Sequence, residues 1–363
     1  MQNPNSASRR TVEMSKATLQ QQMIPGAAEP TGLSWSVVIL KNRALGVLLF
    51  EVLIIVVFSL LADKFFSLSN LNTIFLNACI MAILASAEAV VIITRNYDVS
   101  IASILALSSY VGFDIIRTFP EFGPLLILVP LGIGLMCGLL NGLLVAYGRV
   151  SSIFVTLAGL SVYRGLATLY AHGQQIEPKD IPPWVRDVVT GTLIPGISNL
   201  ALIAIAVVAS VSVYLRYTRI GRQIYAIGSN PGASTFYGLN VPRVILGAYA
   251  LCGVLTGLSG FLFAARSSYV VPWSGQGLEI NVIGAVVVGG VSVLGGSGNV
   301  VGASFGALVL ATLDNGLILV RADEVVRELV YGLAIVGACI LDASVLRRVD
   351  SILKAKKRRG VAR

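Results

Sequence analysis

Long apolar segments recur along most of this chain and constrain its fold more than any other feature. From residue 44 onward they follow one another at about 20 residues each, the length that an α-helix needs to cross the hydrocarbon core. Apolar residues make up 55% of the chain and charged residues only 12%, about half the charged share of a soluble domain. Because too few charges remain to cover a soluble surface, the sequence predicts an all-α membrane protein with about ten transmembrane helices.

The predicted spans alternate with polar loops. They lie at 44–62, 71–93, 99–118, 124–147, 152–170, 196–214, 244–265, 278–295, 300–320 and 325–343. Residues 1–43 are polar and are predicted to form a disordered cytoplasmic tail. Residues 44–343 form the predicted transmembrane domain, and residues 344–363 form a basic cytoplasmic tail.

The distribution of Lys and Arg predicts the orientation of the chain. With a cytoplasmic N-terminus, the cytoplasmic segments hold roughly three times as many Lys and Arg residues as the external segments, as the positive-inside rule requires. Both termini are therefore predicted to be cytoplasmic, which needs an even number of spans. The net charge of +9 is explained by this orientation, so no nucleic acid partner is expected.

The spacing of the spans also suggests an internal repeat. Spans two to five and spans seven to ten form blocks of similar length, and the two blocks run in opposite directions across the membrane. Two inverted four-helix repeats, an architecture known in transporters, are the hypothesis. The alternative is that two four-span blocks have similar lengths without being related.

No catalytic or metal-binding constellation is present in the sequence. His172 is the only histidine, and the four cysteines lie singly within apolar spans, a pattern that predicts neither a disulfide nor a metal site. The Gly-rich run at 289–302 lacks the Lys-Ser/Thr ending of a phosphate-binding loop, and glycines in membrane helices are typical of close packing. No cofactor is expected, and any ATP hydrolysis must come from another polypeptide.

Polar residues inside apolar spans are costly and are expected to face protein or water. Asn77 and Asn141 either hydrogen-bond a hydroxylated solute or join neighbouring helices. Glu88 and Arg164 are a candidate buried ion pair. Glu279 begins the eighth span, where the helix dipole favours an acid.

Asp98 and Ser100 fall at a break between two apolar runs. One interpretation is helix capping, because either side chain can close the N-terminus of the third span. The other is a polar hinge near a solute pathway, and the two roles are compatible.

The segment from Tyr217 to Val244 is long, basic and free of acids. Asn230 is a good N-cap, Pro231 follows at the first helical position, and Gly238 stands where a C-cap glycine would. A short surface helix is therefore predicted from Pro231 to Tyr237. It either docks into a cytoplasmic partner or is a plain basic surface loop.

This segment resembles the coupling loop of sugar-type ATP-binding cassette importer permeases, the family that includes the ribose, xylose, rhamnose and autoinducer-2 permeases. The family pattern is approximately T-x-x-G-R-x-I-Y-A-I-G-x-N-x-x-A-A-x-x-x-G-I. Gly232 and Ser234 depart from it, because the family often has Glu and Ala there. The matching positions are Thr218, Gly221, Arg222, Ile224, Tyr225, Ala226, Ile227, Gly228, Asn230, Ala233, Gly238 and Leu239.

Four further segments match family motifs in the same order. TRNYDVSIAS at 94–103 resembles GGIDLSVGS, although Arg95, Asn96 and Ala102 replace glycines, and this version is closer to the autoinducer-2 and rhamnose branches. The others are GLLNGLLV at 138–145, FVTLAGLSVYRGLA at 154–167, and the Glu- and Gly-containing stretch at 277–302.

The resemblance implies a non-catalytic permease subunit of an importer in the bacterial inner membrane. Its implied partners are cytoplasmic ATP-binding cassette subunits, a second permease chain, identical or different, and a periplasmic or surface solute-binding protein that docks on external loops including 171–195. The candidate solutes are rhamnose, a pentose and autoinducer-2. The implied ATPase-coupling residues are Arg222, Asn230, Pro231, Ala233, Tyr237 and Gly238; the candidate translocation path contains Asn77, Asp98, Ser100, Asn141 and Glu279.

Two other functions are compatible with a multi-span chain. An ion-gradient-driven secondary transporter of a small polar solute needs intramembrane carboxylates that exchange protons, and Glu88 is the best-placed candidate. A membrane-embedded enzyme needs a catalytic set, for which the sequence offers no combination of residues.

Overall fold

The structure is a computed structural model that describes residues 43–337. Residues 1–42 of the predicted N-terminal tail, the end of the tenth span and the predicted C-terminal tail lie outside the described residues. Within 43–337 the chain is helical, with isolated β-bridges and no strand. The predicted all-α class is confirmed, and the chain is a multi-pass membrane protein.

The helices follow the predicted order of spans, with additional short helices in the loops. Their bounds are α1 Arg43–Leu61, α2 Leu68–Ile93, α3 Ile101–Thr118, α4 Leu128–Ala146, α5 Ser152–Ala171, α6 Pro183–Thr190, α7 Asn199–Tyr217, α8 Arg219–Ser229, α9 Pro231–Phe236, α10 Val241–Ser267, α11 Leu278–Val288 and α12 Val300–Leu319. Short 3₁₀ helices occur at Pro120–Ile127 and Pro178–Asp180, and residues 324–337 are helical.

Seven helices in the described part of the chain are long and apolar enough to cross a membrane. They are α2, α3, α4 with its preceding 3₁₀ turn, α5, α7, α10 and α12. The apolar part of α1, Gly46–Leu61, and α11 are shorter. With the helix that begins at 324, every predicted span contains a helix.

The eighth span is shorter than predicted. It was expected to reach residue 295, but α11 ends at Val288 and an irregular loop follows at 289–299. Gly290, Gly295, Gly296 and Gly298 in this loop all have positive φ, a backbone region that only glycine enters without strain. The predicted boundary was wrong because the loop contains apolar residues and glycines, so hydrophobicity alone does not distinguish it from the helix.

The core is built around α2. Almost every residue in its second half is buried, whereas α4, α5 and α7 leave wide apolar faces exposed, as expected for helices in contact with lipid or another chain. α4 and α10 approach closely because glycines face each other. A Cβ on Gly134 would lie 2.1 Å from the carbonyl oxygen of Gly253, and a Cβ on Gly257 would lie 2.2 Å from that of Pro130.

The helix packing is compatible with inverted repeats. The most extensive pairings join α4 with α10 and α2 with α12. α4 and α10 are spans four and seven, and α2 and α12 are spans two and nine. In the predicted repeat, span four corresponds to span nine and span seven to span two, so interchanging the two blocks turns one pair into the other. The repeat itself stays a prediction until the two halves are superposed.

Candidate functional site

The break between α2 and α3, residues 94–100, carries a buried polar cluster. Asp98 and Ser100 are completely buried. One Asp98 carboxylate oxygen accepts hydrogen bonds from the Ser100 backbone N–H at 3.0 Å and from the Ser100 hydroxyl at 2.5 Å. The Ser100 side chain makes no capping bond to α3, so its hydroxyl serves the cluster instead.

Asn141 and Tyr163 extend this cluster to α4 and α5. The Asn141 amide donates to the Ser100 hydroxyl at 2.8 Å and, more weakly, to the Asp98 carboxylate at 3.4 Å. The Tyr163 hydroxyl donates to the Asn141 side-chain oxygen at 2.8 Å. Gly159 on α5 allows the close approach, because a Cβ there would lie 3.2 Å from that oxygen. The cluster therefore ties α4 and α5 to the break between α2 and α3.

Glu88 and Arg164 do not form the predicted buried pair. One Glu88 carboxylate oxygen accepts from the Asp98 backbone N–H at 3.0 Å, so Glu88 supports the break from within α2. Arg164 donates instead to the carbonyl oxygens of Pro272 and Ser274, at 3.2 and 3.0 Å, in the loop after α10. α5 carries Arg164 close to this loop, and backbone carbonyls take the place of a carboxylate.

Asn77 and Glu279 lie apart from the cluster. The Asn77 side-chain oxygen accepts a hydrogen bond from Arg266, in the last turn of α10. Glu279 lies in the first turn of α11, as predicted, and one of its buried oxygens has no hydrogen-bond partner among the described residues. The structure thus brings together Asp98, Ser100 and Asn141 of the candidate path and leaves Asn77 and Glu279 at separate positions.

The predicted coupling segment contains two helices rather than one. α9 begins after Asn230, whose side-chain oxygen accepts from the Ala233 backbone N–H at 3.0 Å, and Pro231 is its first residue. Gly238 follows with φ of 75°. The helix ends at Phe236, one residue before the predicted end. Ahead of it lies α8, a helix that the sequence analysis did not predict.

α8 packs on the ends of two membrane segments. A Cβ on Gly228 would lie 1.7 Å from the carbonyl oxygen of Ile93, the last residue of α2, and 2.6 Å from the backbone nitrogen of Gly296. The Tyr225 hydroxyl donates to the Gly298 carbonyl at 2.9 Å. Burial raises the pKa of Tyr225, which keeps its hydroxyl protonated as a donor.

The loop at 289–299 connects α8 with the polar break. The Gly296 N–H donates to the Ile93 carbonyl at 2.9 Å, and the side chain of Arg95 donates to the Leu294 carbonyl at 2.6 Å. The Tyr97 hydroxyl donates to the Val293 carbonyl at 2.6 Å. A continuous set of contacts therefore runs from α8 to the residues just before Asp98.

α9 presents aromatic side chains to its surroundings. Phe236 is 94% exposed and Tyr237 is 86% exposed. Two neighbouring aromatic residues at the tip of a short loop expose apolar area that a partner surface can bury. Phe236 was not among the predicted coupling residues, and neither Tyr225 nor Gly228 was singled out beyond its match to the family pattern.

Comparison with known proteins identifies the family. The family model described as branched-chain amino acid transport system / permease component matches residues 70–339. This match covers the polar break, the coupling segment and every helix from α2 onward, apart from the first two residues of α2. No solved structure matches the chain.

Individual proteins are similar over most of their length. The chain is 31% identical over 317 residues to the autoinducer 2 import system permease protein LsrC of Shigella flexneri, covering 87% of this chain and 92% of the relative. It is 34% identical over 300 residues to the ribose import permease protein RbsC of Escherichia coli K12, covering 80% and 90%. With LsrC of Klebsiella pneumoniae it shares 34% identity over 304 residues, covering 84% and 87%. The chain thus belongs to the family of branched-chain amino acid transport system / permease components, and ribose and autoinducer 2 import permeases are among its relatives.

Proposed function

We propose that this chain is the membrane permease subunit of an ATP-binding cassette importer for a sugar or sugar-like solute, with rhamnose, a pentose and autoinducer-2 as candidates. The observation that carries the proposal is the contact of Gly228 with the end of α2. It joins a partner-facing helix pair to a buried polar break inside the membrane domain, which is the connection that an externally powered transporter needs.

Separate cytoplasmic subunits hydrolyse ATP in this proposal. The sequence has no phosphate-binding loop of the G-x-x-x-x-G-K-[ST] type. The exposed Phe236 and Tyr237 fit a groove on an ATPase surface, and aromatic side chains are favoured at the centres of such interfaces. Arg222, Asn230, Pro231, Ala233 and Gly238 shape the α8–α9 segment that carries these aromatic residues.

Motion of the ATPases changes the position of α8. Because glycine contact at Gly228 leaves no space between α8 and the α2 carbonyl, a push on α8 moves the end of α2 and the loop at 289–299 together. Packed interfaces respond to such pushes by switching between discrete arrangements. The switch alters the break at Asp98, and with it the relative positions of α3, α4 and α5.

The candidate translocation path borders these helices. Asp98, Ser100 and Asn141 lie at its predicted cytoplasmic end and hold its wall in one arrangement. Asn77 and Glu279 lie toward the predicted external end. In this proposal both termini are cytoplasmic, residues 1–43 and 344–363 are tails, and a second permease chain, identical or different, completes the path in the bacterial inner membrane.

Uptake in proteoliposomes tests the function. The permease, reconstituted with its ATPase subunits and solute-binding protein, is expected to accumulate radiolabelled sugar only with ATP inside the vesicle. Uptake driven by a proton or sodium gradient without ATP or the ATPase subunits would refute the proposal and support a secondary transporter.

Co-purification tests the coupling segment separately. Replacement of residues 230–238 by a Gly-Ser linker is expected to abolish association with the ATPase subunits while the permease keeps its elution volume and thermal stability in detergent. Unchanged association would contradict the role assigned to α9.

A further inference from the structure

A deep groove opens between α1, α7 and α12 at the predicted cytoplasmic face, with α8 at its end. Its volume is about 1090 Å³. Leu48 of α1, Leu215 of α7, and Phe305 and Leu308 of α12 form part of its apolar walls. A groove of this kind within the membrane has to be filled, because empty space forfeits the dispersion contacts of its lining.

Two arginines stand at the mouth of the groove. Arg216 lies in the last turn of α7 and Arg222 in the first turns of α8, and both are exposed. Both contact Tyr217: the Arg216 guanidinium lies over its ring at 5.5 Å, and Arg222 donates to its carbonyl oxygen at 3.2 Å. Neither arginine forms an ion pair with a carboxylate of residues 46–337, so their charge is available to an anion.

The groove also holds polar atoms below the mouth. Ser212 precedes Arg216 by four residues and therefore lies about one helical turn deeper, roughly 6 Å, on the same face of α7. Its hydroxyl is buried and has no hydrogen-bond partner among the described residues. Glu51 of α1 likewise has one buried oxygen without a partner there, while its other oxygen accepts from Thr312 at 2.8 Å.

These observations describe three kinds of chemistry in one groove. The mouth is cationic, Ser212 about one turn below it offers a hydroxyl, and the side chains of Phe305 and Leu308 make the wall on α12 apolar. A hydroxyl group donates hydrogen bonds, so Ser212 suits an ester carbonyl. A phospholipid has the same order along its length: a phosphate, glycerol esters and acyl chains.

We propose that this groove binds an anionic phospholipid of the cytoplasmic leaflet, with its phosphate between Arg216 and Arg222 and an ester carbonyl at Ser212. Charge complementarity selects the anionic class, because the cytoplasmic leaflet is rich in anionic headgroups and each basic residue near it contributes about 1 kcal/mol. Since Arg222 lies on α8, the bound headgroup touches the segment that connects to the ATPase subunits in the proposed function. The lipid therefore stabilises one position of α8.

Native mass spectrometry of the full-length permease tests the proposal. The delipidated protein in detergent is titrated with phosphatidylglycerol or with phosphatidylethanolamine of the same acyl composition. We expect phosphatidylglycerol to bind more tightly. Arg216→Gln is expected to weaken phosphatidylglycerol binding about fivefold, the factor that corresponds to about 1 kcal/mol. It is expected to weaken phosphatidylethanolamine binding less, because that lipid has the same phosphate but its ammonium group already offsets the negative charge.

Arg243→Gln is the matched control, because Arg243 is an exposed arginine on the same predicted face but outside the groove lining. It is expected to bind phosphatidylglycerol as the unmodified protein does. Ser212→Phe, which fills the groove below its mouth, is expected to lower phosphatidylglycerol binding with both arginines in place. Each variant is compared at equal thermal stability and elution volume.

Three results would overturn the proposal. Equal affinity for the two lipids would remove the charge selection, and equal weakening in Arg216→Gln and Arg243→Gln would indicate attraction to the whole basic face. Phosphatidylglycerol selectivity that emerges only after residues 1–42 are deleted would show that the N-terminal segment occupies the groove in the full chain.

Discussion

Replacement of Gly228 by alanine isolates the contact on which the proposed coupling depends. The new Cβ would lie 1.7 Å from the Ile93 carbonyl oxygen and 2.6 Å from the Gly296 nitrogen, whereas real Cβ contacts are essentially never below 3.0 Å. Both clashing atoms are backbone atoms, so no side chain can rotate away. α8 must therefore move away from α2 by roughly 1 Å or more, because small-to-large changes in packed sites force backbone shifts.

The magnitude follows from two opposing terms. Alanine favours a helix interior over glycine by about 0.5–1 kcal/mol, while overpacking costs about 1–3 kcal/mol. The clash outweighs the helix preference at this site because it involves two backbone atoms at once. The lost contact is expected to lower ATP-driven solute uptake about tenfold, the factor for about 1.4 kcal/mol, while ATPase association through α9 persists.

The assay is solute uptake and ATP hydrolysis in the same proteoliposomes. The expected result is continued hydrolysis with little uptake. Gly247→Ala on α10 is the control, since a Cβ there meets nothing within 4 Å, and it is expected to transport normally. Tyr225→Phe removes the hydrogen bond to Gly298 without adding volume and is expected to lower uptake in the same direction. Normal uptake by Gly228→Ala would refute the reasoning.

Three further predictions concern the cluster, the helix packing and the partner-facing surface. Asn141→Leu removes the amide that joins Ser100 to the other helices and is expected to destabilise the fold by about 1–3 kcal/mol. Tyr163→Phe removes only the hydrogen bond of one hydroxyl and is expected to destabilise it by about 0.5–1.5 kcal/mol. An equal melting temperature for the two variants in detergent would contradict the cluster. Gly134→Ala places a Cβ 2.1 Å from a carbonyl oxygen of α10 and is expected to lower the melting temperature, whereas Gly132→Ala on the same helix meets nothing within 4 Å and is expected to leave it unchanged. Phe236→Ala is expected to weaken ATPase binding about thirtyfold, because aromatic truncations at interface centres cost about 2 kcal/mol. The melting temperature is expected to stay unchanged, since this 94% exposed ring makes little contact within the chain. Undiminished co-purification would show that the ring does not enter the interface.

Features with a strong local cause were predictable from the sequence. Asn230 caps α9 because a side-chain oxygen three residues before a free N–H meets it without help from the rest of the fold. Gly238 has its positive φ for a similarly local reason. The break at Asp98 was visible because polar residues interrupt two apolar runs.

Features that depend on distant partners were not predictable. α11 was expected to continue to residue 295, and only the backbone of the Gly-rich loop revealed its end. Glu88 and Arg164 were expected to attract each other as opposite charges, but the fold places each beside backbone groups that satisfy it. Gly228 resembled any other glycine, because its importance comes from a carbonyl oxygen 135 residues earlier in the chain.

Hydrophobicity along the chain is a local property, and it determined the all-α class and the order of the spans. The short α9 helix followed from local capping residues, Asn230 and Gly238. The resemblance of motifs to known permeases also belongs to the sequence. Only the tertiary structure decided which polar residues meet: Asp98 and Ser100 lie in one break, whereas Asn141 and Tyr163 come from two other helices. It also decided that α8 presses on α2, because close approach of two backbones depends on the path of the whole fold.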